Sequence, residues 1–514
     1  MKAYIDWRTG IGNIGLASVL TVFSCYAMAI SPRDVGGKGD VVTLRDGAID
    51  QGSNAFHAAS ANFSKGDAGK VIIVSGAVAG GSALVTQIQA VESPQRATLA
   101  AAATRSIVHA VTYYGTDDTA AIRSCVFKGT ATGDACTITD GVTFLVSNTK
   151  STITPFGAGH NPIMKGTIDG HGRIIFAPQE PMTGGTNDRL FYLSSQETRP
   201  MPIAGAIAKG ATSFNANDAA DAATLVPGDW IIITERDSGV RDNVYADWMQ
   251  VSEVRDATVI TTNPFRMAFP NVRSWGGPPN YWGLGFRKIG PITSNLTMRD
   301  ITIIIPKLKA ERAVIAIDTR DTRGTVITNV TCQDASGNCF VAYMDQGLVF
   351  QNNTMNGSVY SEFASMVDAT ISSNHIDQSD TEMSLAGPPA GGGLEVDFGT
   401  AFSSVQDNEI GSTRQSCLML FAGIHDTVVS RNSCGIVTFG SASNCVLCRS
   451  CYRVTVSENS CEGGTGNSRG IDVGEAGTSA PLYSEGNRIF NNRVRGFAVP
   501  LSCVGRMKRD SCQQ

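Results

Sequence analysis

Charge is scarce in this chain: Asp, Glu, Lys and Arg make up 17% of its 514 residues, against about a quarter in an ordinary globular protein. That excludes a coiled coil, a disordered tail protein and an acidic or basic polymer. Neither sign dominates, since 41 basic and 46 acidic residues leave a formal net charge of -5. No electrostatic footprint for nucleic acid results. Past residue 29 no stretch approaches the ~20 apolar residues that span a bilayer, so no membrane span is expected.

The one apolar run, Ile14 to Ala29, follows Lys2 and Arg8 and closes on Ala27-Met28-Ala29. It reads as a secretory signal peptide over 1–29, which predicts a periplasmic or extracellular protein; a buried N-terminal helix is the plainer alternative. Removing Cys25 with the leader leaves 12 of the 13 cysteines, an even number that suits disulfides in an exported chain. Cys125 with Cys136, Cys332 with Cys339, and Cys503 with Cys512 close short loops where local bridges are plausible. Cys445, Cys448, Cys451 and Cys461 admit a zinc reading, but no His lies beside them and export favours bridges.

What is abundant is small turn residues, with 55 Gly, and a repeat. From about 290 to 502, β-rich apolar runs end just before an Asn: Val326-Ile327-Thr328-Asn329, Phe350-Gln351-Asn352-Asn353, Ile371-Ser372-Ser373-Asn374, Val405-Gln406-Asp407-Asn408, Val429-Ser430-Arg431-Asn432, Val456-Ser457-Glu458-Asn459 and Ile489-Phe490-Asn491-Asn492. The Asn spacings are 24, 21, 34, 24, 27 and 33, near a unit of about 22 with insertions, which signals a solenoid. Val, Ile, Thr, Ser and Asn make each unit a β-rung rather than a helical repeat. The Asn is expected to supply the positive φ of a tight turn, and stacked amides would bond from rung to rung.

Upstream stand Gly36-Gly37-Lys38-Gly39-Asp40, then Gly115-Thr116-Asp117-Asp118-Thr119-Ala120-Ala121-Ile122, then Gly166-Thr167-Ile168-Asp169-Gly170-His171-Gly172. With the Asn-ended rungs, these elements resemble the pectate-lyase-like superfamily, most of all polygalacturonase-related bacterial secreted proteins and phage tailspike-type depolymerases. The resemblance covers most of 33–502, apart from the N-terminal insert and 200–285. It implies an all-β fold: a right-handed parallel β-helix, or solenoid, with an N-terminal capping helix and small β insertions. The segments expected are an N-terminal strand and small β insertion (30–114), capping helix and first rungs (115–199), a Trp-rich β insertion (200–289), rungs (290–502) and a C-terminal tail (503–514). It also makes Asp117 and Asp118 carboxylates at the start of the capping helix rather than catalysts. Tailspike-type relatives are commonly trimers, so monomer and homotrimer both stay open.

The polygalacturonase acids do not carry over, because Asn-Thr-Asp and Arg-Ile-Lys are missing and the one Gly-His-Gly precedes the rungs. The candidate strands for a substrate face are instead Ala313–Arg320, Phe340–Gln346, Glu362–Asp368, Gly393–Phe398, Cys417–Gly423, Gly435–Gly440 and Gly470–Glu475. In Gly393-Leu394-Glu395-Val396-Asp397-Phe398, Leu394, Val396 and Phe398 share one face, so Glu395 and Asp397 point outward. Carboxylates at i and i+2 lie about 7 Å apart at Cα, within the ~5–9.5 Å span of glycosidase acid pairs. Glu362, one rung earlier, falls at the level of Glu395, about 4.8 Å away, and like charges that close raise one pKa.

The long loop before Gly393 adds Asp380 or Glu382; Asp318, Asp345 and Asp472 suit flanking subsites. A solvated acidic face or a cation site is the plainer reading of any one of these acids. In 200–289, Trp275, Tyr281 and Trp282 offer ring faces for sugars or a small-module core, supplemented by Glu235-Arg236-Asp237 and Arg241-Asp242. These residues predict an exported glycoside hydrolase acting within a polysaccharide through Glu395, Asp397 and Glu362, without a cofactor. A polysaccharide lyase is the alternative, with calcium or Arg neutralising a uronate and with Arg320, Tyr343, Arg414 and His425 near the strand face. A non-catalytic glycan-binding surface or spike protein is the third.

Overall fold

The computed structural model describes residues 29–514 except 133, 148–165, 180–187, 241, 278–280, 309–313, 334–337, 358–360, 378–392, 412, 414–415, 436–443, 464–467, 476–483, 504–510 and 513–514. The leader up to residue 28 lies outside the described residues. Among those described, parallel sheets of twelve, ten and nine strands wrap one apolar core, each sheet taking one short strand from each coil of the chain. The protein is a right-handed parallel β-helix.

The three-residue strands of the first sheet show why the repeat folds this way. Their central residues Ile327, Phe350, Ile371, Val405, Val429, Val456 and Ile489 stand in register, and none is more than 1% exposed. Polar flanks such as Thr370 and Ser372 face out. Each such buried side chain contributes about 1.5–3 kcal/mol, so the column stabilises the coil against its open turns.

The turn itself divides the work expected of one Asn between two residues. Positive φ falls on Asn329, Asn352, Ser373, Asp407, Arg431, Glu458 and Asn491. From the second of these turns on, the next residue carries the amide ladder. Asn353 Nδ2 donates to Asn374 Oδ1 at 3.0 Å, and the bond repeats from Asn374 to Asn408 (2.9 Å), Asn408 to Asn432 (2.8 Å), Asn432 to Asn459 (2.9 Å) and Asn459 to Asn492 (2.9 Å). Asn329 belongs to the turn and not to this ladder; it bonds Asp300 instead.

The upstream motifs close the N-terminal end. Asp118 accepts the backbone N–H of Lys38 (2.7 Å) and Gly39 (3.1 Å), while Asp117 accepts from Thr119 N at the start of the helix Thr119–Thr132. Asp40 takes the Thr116 N–H and pairs with Lys70. These carboxylates are therefore structural, as the cap reading expects. Gly170, at φ +112, turns where a Cβ would meet the Ile138 carbonyl oxygen at 2.2 Å.

Disulfides join Cys125–Cys136, Cys332–Cys339, Cys417–Cys434, Cys445–Cys461 and Cys448–Cys451, and Cys503 is also disulfide-bonded. The sulfurs of Cys434, Cys445 and Cys461 cluster within 4.8 Å, but all three are spent in bridges. Val499–Cys503 continues the nine-stranded sheet and Ser511–Cys512 the twelve-stranded one.

Both insertions are closed six-stranded barrels, one between Val42 and Gly115, the other between Met201 and Ile289. Each docks through a strand that is apolar on both sides. In Val71–Val78, Ile72 and Val74 fill the barrel, while Val71 and Ile73 pack on Leu145, Ile175 and Ile304 of the solenoid. In Trp230–Asp237, Ile231 and Ile233 fill the second barrel and Ile232 packs with Met344 and Val367.

Candidate active site

The nine-stranded sheet carries the candidate acids, and strand alternation fixes where they face. Its inner column, Phe340, Ser361, Leu394, Leu418 and Val446, is in register and points to the core side. Two columns therefore face outward. One runs Tyr192, Asp318, Val341, Glu362, Glu395, Met419, Leu447, Asp472; the other runs Ser194, Arg320, Tyr343, Ala364, Asp397, Phe421, Arg449. Glu362 and Glu395 are direct neighbours on adjacent strands, as expected, and Asp397 lies two residues along.

Two local expectations are corrected. The strand ends at Asp397, so Phe398 is no part of the inner face; it sits at φ +48 with its ring edge-on to Phe421. In the nine-stranded sheet Leu418–Phe421 is followed by Asn444–Arg449; of the expected strand Gly435–Gly440, all but Gly435 lies outside the described residues.

The acids face outward yet are not solvated: Glu395 is 6% and Asp397 2% exposed. A hairpin of the second barrel, Trp230–Asp237 into Asp242–Arg255, leans over this face. Tyr343 donates its hydroxyl to Asp242 at 2.6 Å, and Asn243 Nδ2 bonds Tyr343 at 3.2 Å and Ser365 at 2.9 Å. Trp248 Nε1 donates to the Met344 carbonyl at 3.0 Å. Gly423, at φ +88, permits this approach, since a Cβ there would meet the Val244 carbonyl at 2.3 Å.

Asp242 thereby becomes a fourth carboxylate. The sequence offered it only as a supplement to the Trp cluster; nothing local to Arg241-Asp242 shows that the hairpin folds back across the rungs. Burial, and next the charge of Asp242, push Glu362 up to about 7. Burial, then Glu395, Glu362 and Asp242, hold Asp397 well above the carboxylate range. Its buried Oδ1 receives no hydrogen bond, and a carboxylate buried without donors favours its neutral form. Burial raises Asp242 as well, against the Tyr343 bond. Among the described residues no three carboxylates bring oxygens within 4.8 Å of one another.

The other predicted residues separate. Asp318 stands in the outer column but is covered by Arg189 (2.5 Å) and Arg320 (3.1 Å). Asp345 is a correction: it is fully buried, tied to Thr319 Oγ1 and the Thr322 N–H, and burial raises it to about 7. It joins coils and cannot touch a sugar. His425 is another, because it is buried between barrel and solenoid against Val244 O, stacked on Tyr452 at 4.7 Å and lowered to about 4 by that burial. Asp380 and Arg414, with Glu382 and most of the long loop, lie outside the described residues.

Trp275, Tyr281 and Trp282 are half-buried at the barrel's rim, with Trp275 and Tyr281 rings 6.2 Å apart. The Arg236 guanidinium lies 5.2 Å over Trp282 and also acts on Asp242, which links this rim to the acids. Trp248 is core.

No protein-family model matches the sequence, and no curated protein does. Solved structures similar in fold include the tailspike gp61 of Pseudomonas phage phi297 (9% identity over 77% of this chain and 73% of that one, TM-score 0.36). The Streptococcus pneumoniae surface protein and adhesin PfbA is similar at 12% identity over 77% and 86%, TM-score 0.41. The A-module of the Azotobacter vinelandii mannuronan C-5 epimerase AlgE6 is similar at 10% identity over 78% and 96%, TM-score 0.32. Likenesses this distant carry no residue role across; the fold stands on the strand pairing itself.

Proposed function

We propose that this protein is an exported enzyme that hydrolyses glycosidic bonds within a polysaccharide lying along the nine-stranded sheet. The observation that carries the reading is the convergence of Asp242, Glu362, Glu395 and Asp397 from two separately folded units onto one outward face. Buried carboxylates gathered on one face weaken the fold, and raised pKa values clustered at one site mark proton chemistry.

Glu362, half-buried and raised to about 7, is suited to protonate the leaving oxygen at neutral pH. Glu395, directly opposite it, attacks the anomeric carbon. Strands in a sheet lie about 4.8 Å apart, close to the ~5–5.5 Å of retaining acid pairs. Asp397, two residues along, answers to the wider inverting span, but at 2% exposure it stands behind Glu395 as a proton holder. Retention of configuration is therefore the expected stereochemistry; inversion would move the catalytic pair to Glu395 and Asp397. Disulfides are in keeping with an extracytoplasmic compartment.

The lyase reading has less support. Tyr343, its remaining described base besides Arg320, is held well above the usual phenol range by burial and Asp242, so it keeps its proton. The test is a screen of bacterial, algal and plant polysaccharides read by new reducing ends and by ultraviolet absorbance of unsaturated products. New reducing ends without that absorbance are expected; absorbance would establish the lyase, and no cut polymer the binding protein.

A further inference from the structure

The outer columns of the nine-stranded sheet carry the same device at both ends of the acid cluster. Upstream, Asp318 is held between Arg189 and Arg320. Downstream, Asp472 is held between Arg449 and Arg469. Each aspartate is at most 2% exposed. The arginines are not sealed in: their side chains are 20% and 34% exposed upstream, 22% and 42% downstream.

One carboxylate offers about four acceptor sites, whereas two guanidiniums bring ten N–H donors. Each clamp therefore keeps a net positive charge and donors for a further oxyanion. Upstream, the Arg320 guanidinium also lies 5.9 Å from the Tyr192 ring and 5.6 Å from that of Tyr343, which fixes it over the face. Arg320 and Arg449 share one outer column with Asp397 between them. Five strand steps separate them, or about 24 Å. Each step is close to the length of one pyranose in an extended chain. Between the clamps lie Glu362, Glu395 and Asp397, then the uncharged Met419, Phe421 and Leu447.

We infer that this groove takes an anionic polysaccharide in one register, with an acidic sugar at each arginine clamp and uncharged sugars across the acid centre between them. Like charge over Glu395 opposes every other register, while the clamps attract in this one. A polymer charged at every sugar is disfavoured, and a neutral one lacks the grip. The inference rests on the reading of this face as a glycan site but not on cleavage.

The test is affinity electrophoresis of Glu395→Gln protein through gels carrying a linear capsular polysaccharide with one uronate in every five sugars, polygalacturonate (one at every sugar) or dextran (none). The sparsely charged polymer should retard it most and dextran not at all, and retardation should fade with added salt. The carboxyl-reduced form of that polymer should lose the effect. Arg320→Gln and Arg449→Gln should each weaken binding about tenfold. Arg320→Lys and Arg449→Lys, which keep the charge, should recover part of it and guard against a folding defect. Dextran or polygalacturonate retarding as strongly as the sparsely charged polymer, no retardation by either anionic polymer, or undiminished binding by both Gln variants would overturn the inference. Binding of the sparsely charged polymer with no polymer ever cut would instead sink the hydrolase reading and leave this one standing.

Discussion

Two barrels of the same strand count interrupt the same solenoid, and they do different things to it. The first, built from Val42–Gly115, lays Val71, Ile73 and Ala83 on Leu145, Ile175 and Ile304, covering outward apolar residues of the ten-stranded sheet. The second, built from Met201–Ile289, makes the same kind of apolar contact through Ile232 and Trp248 and then adds polar ones. Asp242 meets Tyr343, Asn243 meets Ser365, and Arg266 bridges Asp247 and Asp368. Apolar docking alone fixes position; the second barrel also raises the pKa of Glu362 and Asp397 on the face beneath its hairpin, where the charge of Asp242 adds to burial. An insertion becomes part of a site when a charge at its edge reaches the rungs.

Substitutions can break that contrast. The largest effect is expected from Glu362→Gln, which should lower the cleavage rate by about 10³-fold. Its stability should change in the opposite sense. Glu362 is near 7 when folded and near 4.5 when unfolded, so the folded form binds the extra proton and the wild type loses stability as pH rises from about 4.5 through 7. Thermal melts should therefore show the variant gaining on the wild type across that window and staying ahead above it.

Ile73→Ala in the first barrel should do the reverse, costing about 2–4 kcal/mol of stability in denaturant titration while the folded protein's rate stays unchanged. A matching loss of rate would give the first barrel a share in the chemistry.

Asp242→Asn sharpens the claim for the second barrel. Removing that charge lets Glu362 and Asp397 ionise at lower pH, so the alkaline limb of the pH–rate profile should move to lower pH. A limb that stays in place would show that the hairpin only covers the site.

The smallest effect concerns the interface. His425 is near 4 when folded and near 6.5 when unfolded, so its neutral packing against Val244 and Tyr452 stabilises above about pH 6.5 and is lost progressively as pH falls towards 4. Hydrogen exchange over Asp242–Arg255 should quicken in that window while Val71–Val78 holds. Equal quickening of both would remove the contrast.

Much of the fold is legible in the chain because the rung is local. An apolar residue between polar ones, repeated at about 22 residues with a turn residue after it, fixes strand, face and stacking together. The division of the turn between Asp407 and Asn408 is less legible, since either residue tolerates the turn and only the neighbouring coil shows which amide stacks. Glu362 opposite Glu395 follows from the repeat. The burial of Asp345 does not: it lies two residues past Tyr343, beyond the strand, where alternation no longer predicts direction. Asp242 is the least legible, because its place depends on a closed barrel and on Gly399 and Gly423 letting a foreign strand lie close.

The central claim is that Glu362 and Glu395 cut a glycan together under a hairpin of the second barrel. The most direct measurement is proton NMR of the first product released from a polymer the wild type cleaves, with Glu362→Gln and Glu395→Gln run alongside at matched folding. The account predicts retained anomeric configuration and release reduced about 10³-fold in both variants. Undiminished release by either variant would contradict it.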